Sequence, residues 1–233
     1  MKKGKFFVFE GIDGSGKSTQ ANLLAEYFKK RGYRVEKIDF PQYGNKSAGL
    51  VEKYLSGEYG DAEKVGPYRA SIFYACDRYD ASFKIKKWLD EGKIVISDRY
   101  LVSNIGHQGG KIIKNKKEWE KYVNWLYNLE YGIFGIPKPD YTIILKSVPD
   151  FSLRLAHKLT DKVKKAKRKI YLGNKKSDIH ENIKHLRDTL NSYLLAAKES
   201  PQKFKVIECM QGKDLLPPDV INQKIIKLIE KKI

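Results

Sequence analysis

Cysteine is scarce in this 233-residue chain, and long apolar runs are missing. The two cysteines, Cys76 and Cys209, lie far apart in the sequence, which suits a reduced cytoplasm better than a disulfide framework. No stretch approaches the roughly 18 consecutive apolar residues of a membrane span. The N-terminal stretch MKKGKFFVFEG has no small-residue cleavage site, so we expect a first strand there and no signal peptide. These absences favour a soluble, cytoplasmic protein.

Negative charge is also in short supply. Asp and Glu together number 28 against 46 Lys and Arg, which gives a formal net charge of +18 at pH 7. Such a charge favours anionic partners, among them nucleotides, nucleic acid and acidic membrane surfaces. Most of the excess positive charge comes from lysines scattered along the chain, however. Arginine, which binds phosphates and base edges more specifically, is sparse. We therefore favour a lysine-rich solvated surface and do not expect nucleic acid as a partner.

Apolar runs of strand length alternate with helical spacings along the chain. The predicted strands are 6–10, 35–40, 94–97, 141–145 and 205–208, and the predicted helices are 17–31, 47–55, 67–91, 116–128, 149–160, 178–198 and 218–232. This alternation predicts an α/β fold, with a parallel five-stranded sheet flanked by helices on both faces. We expect a single domain over residues 1–233, with ligands at the carboxyl ends of its strands.

Residues 9–20, FEGIDGSGKSTQ, carry the pattern G-x-x-x-x-G-K-[ST] between a predicted strand and a predicted helix. Glycines allow the backbone N–H groups to wrap a phosphate, and the helix N-terminus adds partial positive charge. Lys17 is expected to reach the β- and γ-phosphates of a nucleotide, and Ser18 to ligate Mg²⁺. The residues expected to hold the nucleotide are Gly11, Ile12, Asp13, Gly14, Ser15, Gly16, Lys17, Ser18 and Thr19.

Signals of other phosphate-loop families are missing. NKKE at 115–118 and NKKS at 174–177 both depart from the N-K-x-D of GTPases. Motor and transport ATPases usually end a strand in Asp-Glu, whereas the third predicted strand here ends in VISDRY. Asp98 can bind the water molecules around Mg²⁺, while the adjacent Arg99 binds a second phosphate. Two anionic substrates indicate a nucleoside monophosphate kinase.

With these residues in place, the chain resembles the thymidylate kinases. Four stretches carry the resemblance in the expected order: FEGIDGSGKSTQ, DFPQYG, FYACDRYDAS and SDRYLVSNIGHQGG. A fifth, KKSDIHENIKHLRDTLNSYLLAA, is similar to the family's segment from the lid into the following helix. The resemblance covers nearly the whole chain. It implies phosphoryl transfer from ATP to dTMP, giving ADP and dTDP for dTTP synthesis.

The resemblance also implies roles for individual residues of the acceptor site. Asp13 corresponds to an acid that contacts the deoxyribose 3′-hydroxyl, and Tyr74 to an aromatic residue that stacks on thymine. The neighbouring Phe73 is the alternative, since the helical period places only one of the two on a given face. The other implied substrate contacts are Arg78 on a thymine carbonyl, Arg99 on the acceptor phosphate, Ser103 and Asn104 near the base, and Gln108 near the nucleoside.

Structural roles are the alternatives for several of these residues. Either aromatic ring can belong to the core, and Ser103 and Asn104 can cap a helix. Arg78 can form a surface ion pair with Asp77 or Asp80.

The implied mechanism depends on alignment and charge neutralisation more than on covalent chemistry. Arg99 places the acceptor phosphate, and Asp13 helps to position the acceptor. Lys17, the loop amides and Mg²⁺ on Ser18 and Asp98 neutralise the transferring group.

A further arginine is missing from the loop, where Gly14 and Ser15 follow Asp13. Family members without a loop arginine supply one from a mobile lid. Residues 157–177 are the predicted lid, because they are dense in lysine and carry arginine only at position 168. Arg168 is therefore predicted to reach the transition state. The alternative is a basic loop in which Arg168 has no specific role.

Three positions depart from the family pattern. Asp178 and Ile179 stand where lid-type bacterial members often have Asp-Arg. Gln42 and Tyr43 stand where members often have an arginine for the acceptor phosphate. His107 stands where a tyrosine or phenylalanine commonly blocks a 2′-hydroxyl, so discrimination between deoxyribose and ribose is an open question for this chain.

Three other functions stay open at the level of sequence, and one of them is a degenerate family member that binds a nucleotide as a regulator. The chain can be a kinase for another nucleoside monophosphate such as dUMP or UMP, or a non-catalytic basic phosphate-loop protein that binds nucleic acid. Thymidylate kinases are commonly homodimers. The predicted helix over 67–91 offers a surface for such a dimer, or else lines the core.

Overall fold

A five-stranded parallel sheet forms the centre of the protein. The computed structural model describes residues 3–152 and 183–230. The strands are β1 (Lys5–Glu10), β2 (Val35–Asp39), β3 (Ile94–Asp98), β4 (Tyr141–Lys146) and β5 (Phe204–Glu208). Their order is β2-β3-β1-β4-β5 and all neighbours are parallel. The predicted fold class is thus confirmed, with strand ends shifted by a single residue at most.

Helices connect the strands and cover both faces of the sheet. They are α1 (Lys17–Lys29), α2 (Gly49–Leu55), α3 (Ala62–Asp90), α4 (Val102–His107), α5 (Lys116–Tyr127), α6 (Ile183–Glu199) and α7 (Pro218–Ile229). Short 3₁₀ turns span Lys46–Ala48 and Gly109–Ile112, and a π-helical turn spans Asn128–Ile133. A small hairpin joins β6 (Met210–Gln211) to β7 (Asp214–Leu215).

Helix α3 starts earlier than predicted, with a break near its beginning. Gly66 has φ 73 and ψ 167, so the backbone is not helical there. Continuous helix therefore begins at Pro67, the predicted start, because a proline is well accommodated in the first turn. The six residues of α4 were not predicted, since so short a helix shows too few turns to reveal a period.

The side chains of strand β1 are buried on both faces of the sheet. Phe6 and Val8 pack into the cluster beneath α3, α4 and α5, whereas Phe7 and Phe9 pack into the cluster beneath α1 and α7. All four side chains are completely buried. Each such burial contributes about 1.5–3 kcal/mol, which fixes β1 at the centre of the sheet.

The ends of the central strands bring the predicted site residues to one edge. Phe9 is paired with Asp98, and Asp39 is paired with the same residue from β2. Since chain connections diverge on either side of β1, a crevice opens there at the carboxyl ends of the strands. The loop after β1 and the helix after β3 both enter this crevice.

Some predictions fall on residues outside the described part. The helix predicted at 149–160 is helical over 149–152, and the one predicted at 178–198 is described from Ile183. The predicted lid, 157–177, and Arg168 lie outside the described residues. Within 3–152 and 183–230, no helix has the length and apolar character needed to cross a membrane.

Candidate active site

The loop between β1 and α1 has the backbone of a phosphate cradle. Gly14 has φ +79, and a Cβ there would lie 1.9 Å from the carbonyl oxygen of Ser152. Gly16 has φ +89 and caps α1, but a Cβ at this position would meet nothing within 4 Å. Only glycine combines the left-handed backbone with close approach to a neighbouring segment. The loop therefore needs both glycines for its curvature, and it needs Gly14 for its packing as well.

Lys17 folds back over the loop. Its Nζ donates to the carbonyl oxygens of Gly11 at 3.0 Å and Ile12 at 2.9 Å, and the side chain is buried. The buried Ser15 hydroxyl makes no hydrogen bond within the described part of the chain. Both groups lie where helix α1 presents its first N–H groups. The combination fits a nucleotide phosphate, which accepts hydrogen bonds from all of these donors.

Ser18 and Asp98 form the candidate Mg²⁺ position. The Ser18 hydroxyl donates a hydrogen bond to the Asp98 carboxylate, so the first turn of α1 meets the end of β3. No cluster of three or more His, Cys, Asp or Glu side chains with ligand geometry occurs in the regions that the structure describes. Mg²⁺ usually takes one or two protein oxygens and completes its shell with phosphates and water. The two oxygen ligands fit the chemistry of that ion.

Arg99 has an unusual backbone at the start of the segment after β3. Its φ is 75, and it is the one non-glycine residue with positive φ in the described regions. Its N–H donates to the Phe9 carbonyl at 2.9 Å, and its carbonyl accepts from the Ser97 hydroxyl at 2.5 Å. A left-handed conformation costs a side-chain-bearing residue about 1–2 kcal/mol, and such strain concentrates at functional sites. The strand ends therefore turn Arg99 into the crevice.

The Arg99 guanidinium forms an ion pair with Asp13 of the phosphate loop. Burial alone raises the pKa of Asp13, but the charges of Arg99 and Lys17 outweigh it and hold that pKa well below its usual range. Burial lowers the pKa of Arg99, and Asp13 more than compensates. Both groups are thus charged. Asp13 is still 45% exposed, so it is accessible to a substrate hydroxyl.

A pair of histidines lies behind Arg99. The guanidinium Nη1 is 2.9 Å from Nε2 of His107, and Nδ1 of His107 is 3.2 Å from Nε2 of His185. Burial, followed by the charge of Arg99, lowers the pKa of His107 well below its usual value. At this position the chain therefore has a packed, neutral histidine.

Glu10 joins the phosphate loop to helix α4. Its carboxylate is completely buried and accepts from the N–H groups of Tyr100 (2.8 Å) and Ser103 (3.0 Å). It also accepts from the hydroxyls of Ser103 (2.6 Å) and Tyr193 (3.0 Å). Burial raises the pKa of Glu10, and these hydrogen bonds oppose the rise. Ser103 is thus held by Glu10, a contact that the sequence did not predict.

The aromatic candidates Tyr74 and Phe73 both contact Tyr54 of α2. The ring centroids lie 6.2 Å apart for Tyr74 and Tyr54, and 6.1 Å apart for Phe73 and Tyr54. The two adjacent residues of α3 thus contact the same ring, and which of them meets the base stays a prediction. Both candidates are partly buried and pack against the small hydrophobic cluster that contains Tyr54.

Asn104 and Gln108 are buried between α4 and the helices α2 and α3. Asn104 Nδ2 donates to the Ser71 carbonyl at 3.2 Å, which ties α4 to α3. The Gln108 Oε1 lies 3.5 Å from the Tyr54 hydroxyl. Its Nε2 is buried without a hydrogen bond inside the described regions. Gln108 thus has its amide N–H groups left for a ligand, whereas Asn104 Nδ2 uses one of its two N–H groups on Ser71.

Arg78 does not form the surface ion pair considered from sequence. It is 1% exposed and is paired with Glu130 of the π-helical turn. Its Nη1 lies 3.4 Å from the Tyr100 carbonyl. Asp77 instead accepts from the N–H of Gln42 at 2.9 Å and from the Ser47 hydroxyl at 2.7 Å. Asp77 therefore anchors the loop after β2.

The structure brings the phosphate loop, Asp98, Arg99 and His107 together at one sheet edge. It brings Tyr74 and Gln108 together at Tyr54 of α2. Sequence reasoning missed three residues of this region. Glu10 carried a usable signal, because a carboxylate ends an otherwise apolar strand. Glu130 and His185 carried none, since their partners lie 52 and 78 residues away.

Comparison with known proteins agrees with this geometry. The model of the thymidylate kinase family matches residues 9–216. A probable thymidylate kinase of Thermococcus kodakarensis is 32% identical over 232 residues, which cover 97% of each chain. The thymidylate kinase of Plasmodium falciparum is 32% identical over 151 residues, 65% of each chain. The solved thymidylate kinase of Candida albicans matches 98% of this chain and 92% of its own, with TM-score 0.72 and 22% identity, a likeness of fold.

Proposed function

The chain belongs to the thymidylate kinase family, and from this premise we infer that it transfers the γ-phosphoryl group of ATP to dTMP, giving ADP and dTDP for dTTP synthesis. One observation carries the inference. The Ser18–Asp98 pair and the Asp13–Arg99 pair flank a single loop, so a metal-binding position and a second anion-binding cation lie side by side. A reaction between two phosphates requires this arrangement.

On the donor side, the loop amides and Lys17 would bind the phosphates of ATP. Lys17 would exchange its two carbonyl partners for phosphate oxygens, which are stronger acceptors because they are charged. Ser18 and Asp98 would hold Mg²⁺, which supplies charge neutralisation at the β- and γ-phosphates when bound. Thr19, exposed in the first turn of α1, adds a further phosphate contact.

On the acceptor side, Arg99 would bind the phosphate of dTMP and Asp13 the 3′-hydroxyl. The two residues are paired here, so binding of dTMP would redistribute their hydrogen bonds between each other and the substrate. Tyr74 is proposed to stack on thymine, and Gln108, with its spare amide donor, to contact the nucleoside. Arg78 and Asn104 are proposed for the edge of the base. Their buried protein contacts would keep them rigid.

We further propose that residues 157–177 act as a lid within the single domain and that Arg168 stabilises the transferring phosphoryl group. The phosphate loop itself supports this proposal. It offers Lys17 and the amides but no arginine, because Gly14 and Ser15 follow Asp13. A positioned arginine of this kind contributes about 10³–10⁵ in rate.

A homodimer through α3 is supported by an exposed apolar stripe. Ile72, Tyr79 and Phe83 are 40%, 42% and 59% exposed, and their spacing places them on one face of the helix. Ile133, 69% exposed, ends the neighbouring π-helical turn, and the ring centroid of the next residue, Phe134, lies 5.1 Å from that of Tyr79. A second copy of the chain would cover this surface.

Localisation in the cytoplasm is supported by the cysteines. Cys76 and Cys209 are both free thiols. Burial is the largest cause of the raised pKa at each, so neither is a reactive thiolate.

A substrate panel tests the proposed reaction. ATP is offered with dTMP, dUMP, UMP, CMP or AMP, and we expect dTMP to give the highest kcat/KM. Lys17→Ala should abolish turnover in the same assay. The nucleic-acid alternative would instead show salt-dependent DNA binding with no turnover of any nucleotide.

A further inference from the structure

Three side chains form a continuous chain of contacts from helix α6 to the acceptor side of the site. The Arg99 Nη1 lies 2.9 Å from His107 Nε2, and His107 Nδ1 lies 3.2 Å from His185 Nε2. The two imidazole rings are stacked, with centroids 5.4 Å apart and an interplanar angle of 30°. His185 thus supports the ring that touches Arg99.

Hydrogen-bonding capacity fixes the direction of this chain. An arginine guanidinium can only donate, so His107 Nε2 must be the acceptor nitrogen. A neutral imidazole then carries its proton on Nδ1, which makes His107 Nδ1 the donor to His185. His185 Nε2 must in turn accept, and the Thr189 hydroxyl lies 3.4 Å from the same nitrogen. The arrangement therefore selects one tautomer at each ring.

We propose that His185 is a positioning residue for the acceptor phosphate, acting through His107 on Arg99. The proposal rests on the proposed function, in which Arg99 binds the phosphate of dTMP. A long arginine side chain has many rotamers, and an acceptor-binding role requires one of them to be selected before substrate arrives. Asp13 holds one edge of the guanidinium, and the imidazole pair holds the other.

The packing of α6 on α4 makes the support rigid. A Cβ at Gly106 would lie 2.4 Å from Tyr193 Cζ, so the two helices meet as closely as a glycine permits. His185 and Tyr193 are eight positions apart on α6 and share a face. Tyr193 also donates to Glu10 at 3.0 Å. Helix α6 is therefore tied to the phosphate loop at one point and to Arg99 at another.

The electrostatic environment keeps both rings in the form that the chain of contacts needs. Burial is the largest cause of the lowered pKa of each histidine. The charge of Arg99 adds to it at His107, and Lys111 adds to it at His185, whose pKa falls to about 4. Asp13 acts in the opposite sense on both rings without reversing the shift. A proton on either ring would remove an acceptor nitrogen that the geometry requires.

Substitutions of His185 can separate its acceptor nitrogen from its bulk. Glutamine carries its terminal amide about as far from the backbone as histidine carries Nε2, whereas asparagine reaches only as far as Nδ1. His185→Gln should keep KM for dTMP near the wild-type value. His185→Phe, which keeps ring volume, and His185→Asn should raise that KM about tenfold, the effect of one lost hydrogen bond in a charged network. Lys184→Ala, an exposed neighbour on α6, is the matched control.

The distribution of the effect between kinetic constants tests the positioning role. KM for ATP should not change, and kcat should stay within about twofold of wild type, since donor binding and γ-phosphoryl activation do not involve His185. The proposal would be overturned if KM for dTMP, KM for ATP and kcat all worsened to a similar extent. It would also be overturned if His185→Phe and His185→Gln had the same KM for dTMP. Wild-type enzyme that fails to phosphorylate dTMP would instead refute the proposed function.

A tautomer measurement on the wild-type protein is independent of turnover and of variant folding. Nitrogen-15 NMR of the histidine side chains should show His107 neutral at pH 7 with its proton on Nδ1. His185→Phe should alter the Nδ1 resonance of His107, and His185→Gln should largely restore it. A proton on Nε2 of His107 in the wild-type protein would contradict the proposal, even if dTMP kinase activity is present.

Discussion

Arg78 and Glu130 form a two-point ion pair inside the protein. Nε lies 2.6 Å from Oε2 and Nη2 lies 2.7 Å from Oε1, and neither side chain is exposed by more than 2%. Burial raises the pKa of Glu130, and the guanidinium opposes the rise. Nε and one N–H of Nη2 bind Glu130, and Nη1 lies near the Tyr100 carbonyl, so the N–H groups left for a base are on Nη1 and Nη2. The pair thus fixes which edge of Arg78 can face a substrate.

Glu130→Ala should be strongly destabilising, because it leaves an uncompensated charge in the interior. Breaking a buried pair costs about 3–5 kcal/mol, and urea unfolding measures the loss. The double substitution Arg78→Met with Glu130→Leu should recover most of the stability but still bind dTMP more weakly than wild type. A Glu130→Ala protein as stable as wild type would show that the pair contributes nothing.

The sequence predicted the sheet, the phosphate loop and the Asp98–Arg99 step because their signals are local. A buried strand, a glycine pattern and a charged pair after a strand are each readable within a few residues, and parallel topology places strand ends at one edge. The partners of Arg78 and His107 were not predictable in this way. Glu130 belongs to a π-helical turn with no periodic signal, and His185 lies in an ordinary amphipathic helix.

The two left-handed glycines of the phosphate loop should respond differently to alanine. Both substitutions place a Cβ on a backbone with positive φ, which costs about 1–2 kcal/mol. Gly14→Ala additionally forces that Cβ against Ser152, whereas Gly16→Ala has open space around it. In nucleotide-free protein, Gly14→Ala should therefore lower the unfolding free energy more than Gly16→Ala does. Equal losses would mean that the contact with Ser152 is relieved without cost.

The proposed dimer predicts that a charge at Phe83 separates the subunits. Phe83→Asp should give a monomer by analytical ultracentrifugation at a concentration where wild-type protein is a dimer, since a carboxylate cannot be buried unpaired in an apolar contact. Lys84→Asp, at the next position and on a different face of α3, is the control and should leave the dimer intact. A wild-type protein that sediments as a monomer at all concentrations would refute the homodimer.

The lid proposal predicts that Arg168→Ala lowers kcat at least about tenfold with little change in dTMP affinity, the pattern for an interaction made mainly in the transition state. Lys167→Ala removes a positive charge from the adjacent position and serves as the control, so a general effect of charge would appear in both variants. Steady-state kinetics with ATP and dTMP separate the two. Unchanged turnover in Arg168→Ala would remove Arg168 from the mechanism.

Glu10 should make stability depend on pH. A carboxyl group whose pKa is raised on folding binds its proton more tightly in the folded protein, so its contribution to stability is fully present below the unfolded value of 4.5 and is lost as pH rises through the folded pKa.

Glu10→Gln removes this titration. Its carbonyl oxygen can accept from the N–H groups of Tyr100 and Ser103, and its amide can donate to the Ser103 and Tyr193 hydroxyls. The difference in unfolding free energy between wild type and Glu10→Gln, measured by urea unfolding from pH 4 upward, should therefore shift in favour of the glutamine variant as pH rises above 4.5. A difference that is constant with pH would show that Glu10 ionises equally easily in the folded and unfolded states.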